Sequence, residues 1–283
     1  MLKRAFGCLA LLLHAGPLAA AETGIVSAWV EGYNSKIRLI AARGVPGVGP
    51  ERAVAGIEIV MTPEWKTYWR MPGDAGVPPQ FDLAKSDNVR AARVLYPAPH
   101  RYTDKAGDAV GYKTAVLFPI EFEAVDPSKP ATLRLTAEFG VCLDICIPAE
   151  ATLELVIAPG AGDNVKTAAQ LAAALARVPR GAGQALVTDP LVERTLDERA
   201  GKPPRLVIET KARSGTTGAD LFLEAPDGLY LPLPRKVSEA ADGRVRFEVD
   251  LSRGIDLADF KGKALRLTVV SDAGASEALW QLE

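Results

Sequence analysis

What most limits the folds open to this chain is a two-residue rhythm. In "TLRLTAEF" (132–139), Leu133, Leu135, Ala137 and Phe139 fall on one side, with Thr132, Arg134, Thr136 and Glu138 on the other. Alternation of period two marks a strand with one buried face and one wet face. "TLELVI" (152–157) repeats it, and "KIRLIAA" (36–42), "AGIEIVM" (55–61), "VRAARVLY" (89–96) and "KTAVLFPIEFEA" (113–124) continue the series. Pro119 in the last run predicts a bulge or an edge position, because proline cannot donate to a ladder. Short strands separated by Gly/Pro turns predict a β-sandwich.

The rhythm breaks near residue 160. "NVKTAAQLAAALARV" (164–178) is Ala-rich, offers Asp163 or Asn164 as an N-cap, and is followed by Pro179, so a helix is expected there. Strands return in "RLVIET" (205–210), "DLFLEA" (220–225), "VRFEVDL" (245–251) and "ALRLTVV" (264–270). The expected organisation is all-β: a first domain over 22–160, a helical connector over 161–199, and a second, smaller β-sandwich over 200–283. The second half holds no Cys and no His, so it is read as a scaffold or docking domain.

The first residues read as a secretory signal. Lys3 and Arg4 precede the apolar "AFGCLALLLHAG", and "LAAAE" (18–22) offers small residues for cleavage after Ala21. The apolar run is too short to span a membrane comfortably. Cleavage removes Lys3, Arg4, Cys8 and His14, leaving Cys142, Cys146 and His100 as the only cysteines and histidine. Export places the two thiols where they can be oxidised. With a formal net charge of −2 and no basic block, nothing supports nucleic-acid binding. No later apolar run approaches membrane-spanning length, so the mature chain is expected not to be an integral membrane protein.

The pair sits in "EFGVCLDICIPAEA" (138–151). Four residues of extended strand span about 13 Å, whereas a disulfide needs Cα atoms within about 7 Å, so 142–146 must turn if the sulfurs bond. Pro148 and the rhythm resuming at Thr152 place that turn between two strands. Three chemistries compete. A ring of about five residues contributes only about 2 kcal/mol by loop entropy, which makes a weak staple. Two thiolates and a sequence-distant His100 fall short of the four ligands of structural zinc. Copper(I) accepts two thiolates, yet no Met-rich or His-rich segment accompanies them. A small, exposed, reducible ring suits redox exchange best. Asp144 and its neighbours supply no electropositive signal for thiolate activation.

"GVCLDICIPAEATLEL" resembles the redox segment of the periplasmic N-terminal domain of the thiol:disulfide interchange protein DsbD family, closest to its ScsB-type (suppressor of copper sensitivity) variant. "PEWKTYWRMPGDAGVPPQFDL" (63–83) and "YPAPHRYTDKAGDAVGYKTAVLFPI" (96–120) resemble two further blocks of that family, in the same order. The resemblance implies an immunoglobulin-like β-sandwich that takes electrons from a membrane-embedded or thioredoxin-like partner and reduces thioredoxin-like periplasmic client proteins; the residues themselves lead us to expect no cofactor and no metal. It implies Cys146 as the attacking thiolate and Cys142 as the resolving thiol. It also implies a flexible cap within 100–111, with Tyr102 as the nearest cap aromatic, and Tyr68 and Tyr112 as aromatics lining the redox centre. Trp65 and Trp69 read as core, Asp74 as a turn-former and His100 as a loop residue. The sequence carries no membrane conduit and no CxxC, so a separate membrane electron-conduit protein is expected. The competing function is a secreted binding module with a fixed disulfide, serving copper tolerance.

Overall fold

The structure, a computed structural model, describes residues 25–282 apart from 50–51, 75, 105–106, 162–163, 182–190, 198–202, 212–217, 227–228 and 253–254. The expected signal segment 1–21, with Cys8 and His14, and Asp163 as alternative cap lie outside the described residues.

Two six-stranded antiparallel sheets form the first sandwich. One runs Ile25–Val26, Ser35–Ala42, Val54–Met61, Ala115–Ala124, Val89–Val94, with Val30–Gly32 added to Ser35–Ala42. The other runs Cys146–Ile157, Ala131–Cys142, Lys66–Gly73, Gly107–Lys113, His100–Asp104, with Gln80–Asp82 added to Ala131–Cys142. The alternation explains the packing. Leu133, Leu135, Ala137 and Phe139 enter the core between the sheets, while Arg134, Thr136 and Glu138 face solvent. Ile37, Leu39, Ile57, Ile59, Phe118 and Ile120 answer them from the opposite sheet.

Pro119 does not mark an edge. It lies in an interior strand, in register with Gly56, and its carbonyl accepts from Leu95 N–H. The expected irregularity falls two residues further on, between Glu121 and Glu123. Pro148 does not interrupt either. Its strand is the outermost of its sheet, where a missing N–H breaks no ladder bond, and the ladder runs unbroken from Ala131↔Ile157 to Cys142↔Cys146.

The helix Val165–Ala176 starts at Asn164, whose side chain accepts from Thr167 N–H. Ala168 and Leu171 lie on the outer face of the first sheet, against Ile40, Ala42 and Val54. The expected connector 161–199 is therefore only partly helical: Leu191–Asp197 is already a strand, paired with Arg205–Lys211. It is an edge strand, and the charges that suit an edge mask its rhythm. The second β domain stacks two four-stranded sheets around Leu206, Ile208, Leu221, Phe247, Leu265 and Leu267.

The domains meet through specific contacts. Trp69 packs edge-on against Phe222, with ring centroids 5.7 Å apart. Arg70 bonds Glu224 and Glu277, and Arg101 forks onto Asp220 at 2.9 and 2.8 Å. Burial alone would lower the pKa of both guanidinium groups, but the surrounding carboxylates outweigh it and raise them.

Candidate functional site: a disulfide across a hairpin tip

The long hairpin Ala131–Ile157 brings the cysteines together. They are the last facing pair of its ladder, with Leu143, Asp144 and Ile145 as the connecting loop. They are disulfide-bonded, with Cα atoms 4.2 Å apart. The turn demanded by chain length is thus a three-residue hairpin loop.

Strand parity then decides which face carries the sulfurs. Phe139 and Val141 enter the core, so Gly140 and Cys142 belong to the outer face. Outer-face neighbours further down the strand are wet, yet Cys142 is 1% exposed. Its cover comes from the adjacent strands: Tyr68 and Ala109 form a buried cluster with it. Cys146 shares the disulfide but is exposed, as are Leu143 (41%) and Ile145 (75%) at the tip. Cys142 is therefore shut in, whereas the residue that shares its disulfide is exposed.

Tyr68 is built into this site by two glycines. The strands Ala131–Cys142 and Lys66–Gly73 share a single rung, Cys142↔Lys66; further along, Thr136–Glu138 pair with Gln80–Asp82 instead. The Tyr68 ring fills the resulting fork. A Cβ at Gly140 would lie 3.3 Å from the ring and one at Gly76 only 2.5 Å away, so the ring fits because neither residue has a side chain. From this slot its hydroxyl reaches Cys146 Sγ at 2.9 Å. A disulfide sulfur carries no proton, so the hydroxyl donates.

Lys66 was not singled out from sequence. It faces Cys142 across the rung, is 7% exposed, and its Nζ donates to Leu143 O at 3.3 Å, inside the cysteine loop. The available signal was parity: Lys66 and Tyr68, two apart on one strand, share a face. The electropositive group missing around Asp144 is supplied by another strand.

The remaining expected residues take other places. Tyr112 points inward, donates to Pro97 O at 2.7 Å, and burial pushes its phenol well above the ordinary range. Tyr102 lies on the third strand over from that of Cys142, paired with Ala109 and with Lys113 Nζ over its ring. The segment 100–111, expected as a loose cap, belongs to the hairpin His100–Asp104/Gly107–Lys113 and contributes Ala109 to the cover of Cys142. His100 is an exposed strand residue beside Tyr102. Trp69 is fully buried and Trp65 partly so. Asp74 sits at a turn, its N–H bonded to Asp108 O and its carboxylate accepting from Tyr230.

Among the described residues the immunoglobulin-like sandwich carries one disulfide, which closes a hairpin tip and joins a buried cysteine to an exposed one. Residues 47–158 match the family of the thiol:disulfide interchange protein DsbD, N-terminal, and this stretch is a DsbD N-terminal-like domain. The crystal structure of the N-terminal periplasmic domain of ScsB from Proteus mirabilis has the same fold. Its TM-score is 0.69 at 22% identity, over 92% of this chain and 98% of that one. That likeness extends across both sandwiches. No curated protein matches the sequence.

Proposed function

We propose that this protein is a periplasmic thiol–disulfide exchange component that passes two electrons through Cys142 and Cys146 to client proteins. The observation that carries the reading is the unequal exposure of the two bonded cysteines: Cys146 is an exposed residue, whereas Cys142 is 1% exposed. A purely structural bridge has no need of that asymmetry.

The steps balance. A dithiol on a membrane-embedded or thioredoxin-like donor reduces the Cys142–Cys146 disulfide and is itself oxidised. The Cys146 thiolate attacks one sulfur of a client disulfide, forms a mixed disulfide and expels a client thiolate. Cys142, as thiolate, attacks Cys146 Sγ, restores the ring and releases the second client thiolate. Tyr68 supports the first attack, because its hydroxyl is aimed at Cys146 Sγ. The N-terminal segment would direct export. The clients are thioredoxin-like proteins that present an accessible disulfide.

The test is a trap. Reduced protein carrying Cys142→Ala should form a lasting mixed disulfide through Cys146 with a thioredoxin-like disulfide protein, visible on a non-reducing gel. Absence of adducts, with Cys146 still freely alkylated, would sink the proposal.

A further inference from the structure

Cys142 poses a chemical difficulty within the exchange reading. To resolve a mixed disulfide it must act as a thiolate, since the thiol is a poor nucleophile. Yet its side chain is almost wholly withdrawn from water, and burial disfavours a charged sulfur. Something on its face must offset that cost.

We infer that Lys66 is the positioning residue that makes buried Cys142 a competent resolving thiolate. Two independent features place it. The register sets Lys66 directly opposite Cys142, so the two side chains leave the sheet on the same face, with Cβ atoms about 5 Å apart. The ammonium then donates to Leu143 O, the carbonyl of the residue after Cys142, which fixes the charge at the root of the loop. Lys66 is itself 7% exposed, so its field is poorly screened by water; the cation facing it from the strand on its other side, Lys113, is exposed and paired with Glu64. When the ring is opened by a donor dithiol, the new negative charge on Cys142 Sγ develops beside a cation already in place. Cys146 depends on it less, because it is an exposed residue and its sulfur already meets the Tyr68 hydroxyl. Lys66 therefore acts on the second step of exchange, the return of Cys142 to Cys146 with loss of the client thiolate.

The inference rests on the exchange reading but is tested without a client. Reduced full-length protein is mixed with excess chromogenic aromatic disulfide DTNB. Attack by Cys146 releases one coloured thiolate, and resolution by Cys142 releases a second. In Lys66→Met the first phase should stay within about twofold of the parent. The second should slow about threefold near neutral pH: a Cys142 pKa about one unit higher cuts its thiolate about tenfold, and the greater nucleophilicity of the more basic thiolate returns about threefold. Its pH midpoint should move upward, and Lys66→Arg should restore both. Lys66→Gln, which keeps a donor for Leu143 O without the charge, should resemble Met and decides the matter if Met does not fold. A folded, uncharged variant with the parent's second phase and pH midpoint overturns the inference. A mere packing role would lower thermal stability without moving that midpoint. Failure of client trapping with the two phases intact would instead count against the proposed function.

Discussion

Tyr68→Phe isolates one atom at the centre of the site. The ring stays, held between Gly76 and Gly140, and only the hydroxyl 2.9 Å from Cys146 Sγ is lost. In the oxidised protein that bond ends on an uncharged sulfur and is worth roughly 1 kcal/mol; to a thiolate it is charge-assisted and worth roughly 2–3 kcal/mol. The difference, about 1.4 kcal/mol, is one pKa unit. Removing the hydroxyl should raise the Cys146 thiol pKa by about one unit and cut its thiolate about tenfold near neutral pH. A more basic thiolate is more nucleophilic, with a Brønsted slope near 0.4–0.5, which recovers about threefold. The net effect on attack by Cys146 is thus about a threefold loss. Iodoacetamide alkylation of the reduced Cys142→Ala protein across pH, with and without Tyr68→Phe, reads this directly. The midpoint should rise while unfolding free energy changes by no more than about 1 kcal/mol. An unchanged midpoint in a folded variant refutes the reasoning, because the hydroxyl would then contribute nothing to the charged sulfur.

Three further outcomes follow from the packing. Gly111→Ala places a Cβ 2.0 Å from Thr67 O, a backbone atom that cannot turn aside, so chemical denaturation should show a loss above about 3 kcal/mol or no folded protein. Arg101→Ala strips the partner from Asp220 and Asp108 and should cost about 2 kcal/mol; a double-mutant cycle with Asp220→Ala should give a coupling of at least about 0.5 kcal/mol if the domains pack as described. Asn164→Ala removes the acceptor for Thr167 N–H and should lower stability by about 1 kcal/mol, measured by thermal unfolding.

The two strands of the cysteine hairpin were legible because each carries a strict alternation, and chain length required a turn between Cys142 and Cys146 if their sulfurs were to bond. What the rhythm could not supply was register. Nothing in "PEWKTYWRMPG" says that Lys66 will face Cys142, because that rung joins strands far apart in sequence. Segment 100–111 misled for a related reason. Its polar residues and Gly107 suit a loop locally, but Arg101 is polar because it forks onto Asp220 of the second domain, and Gly107, at φ 119°, begins the strand paired with His100–Asp104. Edge strands hide in the same way: Leu191–Asp197 is the outermost strand of its sheet, and its sequence LVERTLD shows no clean two-residue alternation. The second domain reaches the site through Asp220, whose carboxylate holds Arg101 of the hairpin that covers Cys142.

The sharpest single measurement is the reduction potential of the Cys142–Cys146 pair, from equilibration with glutathione buffers and counting of free thiols. A pair that cycles between donor and client should titrate among the known exchange proteins, about −120 to −270 mV. A value below about −300 mV, where structural bridges of secreted proteins lie, would contradict electron transfer through this site.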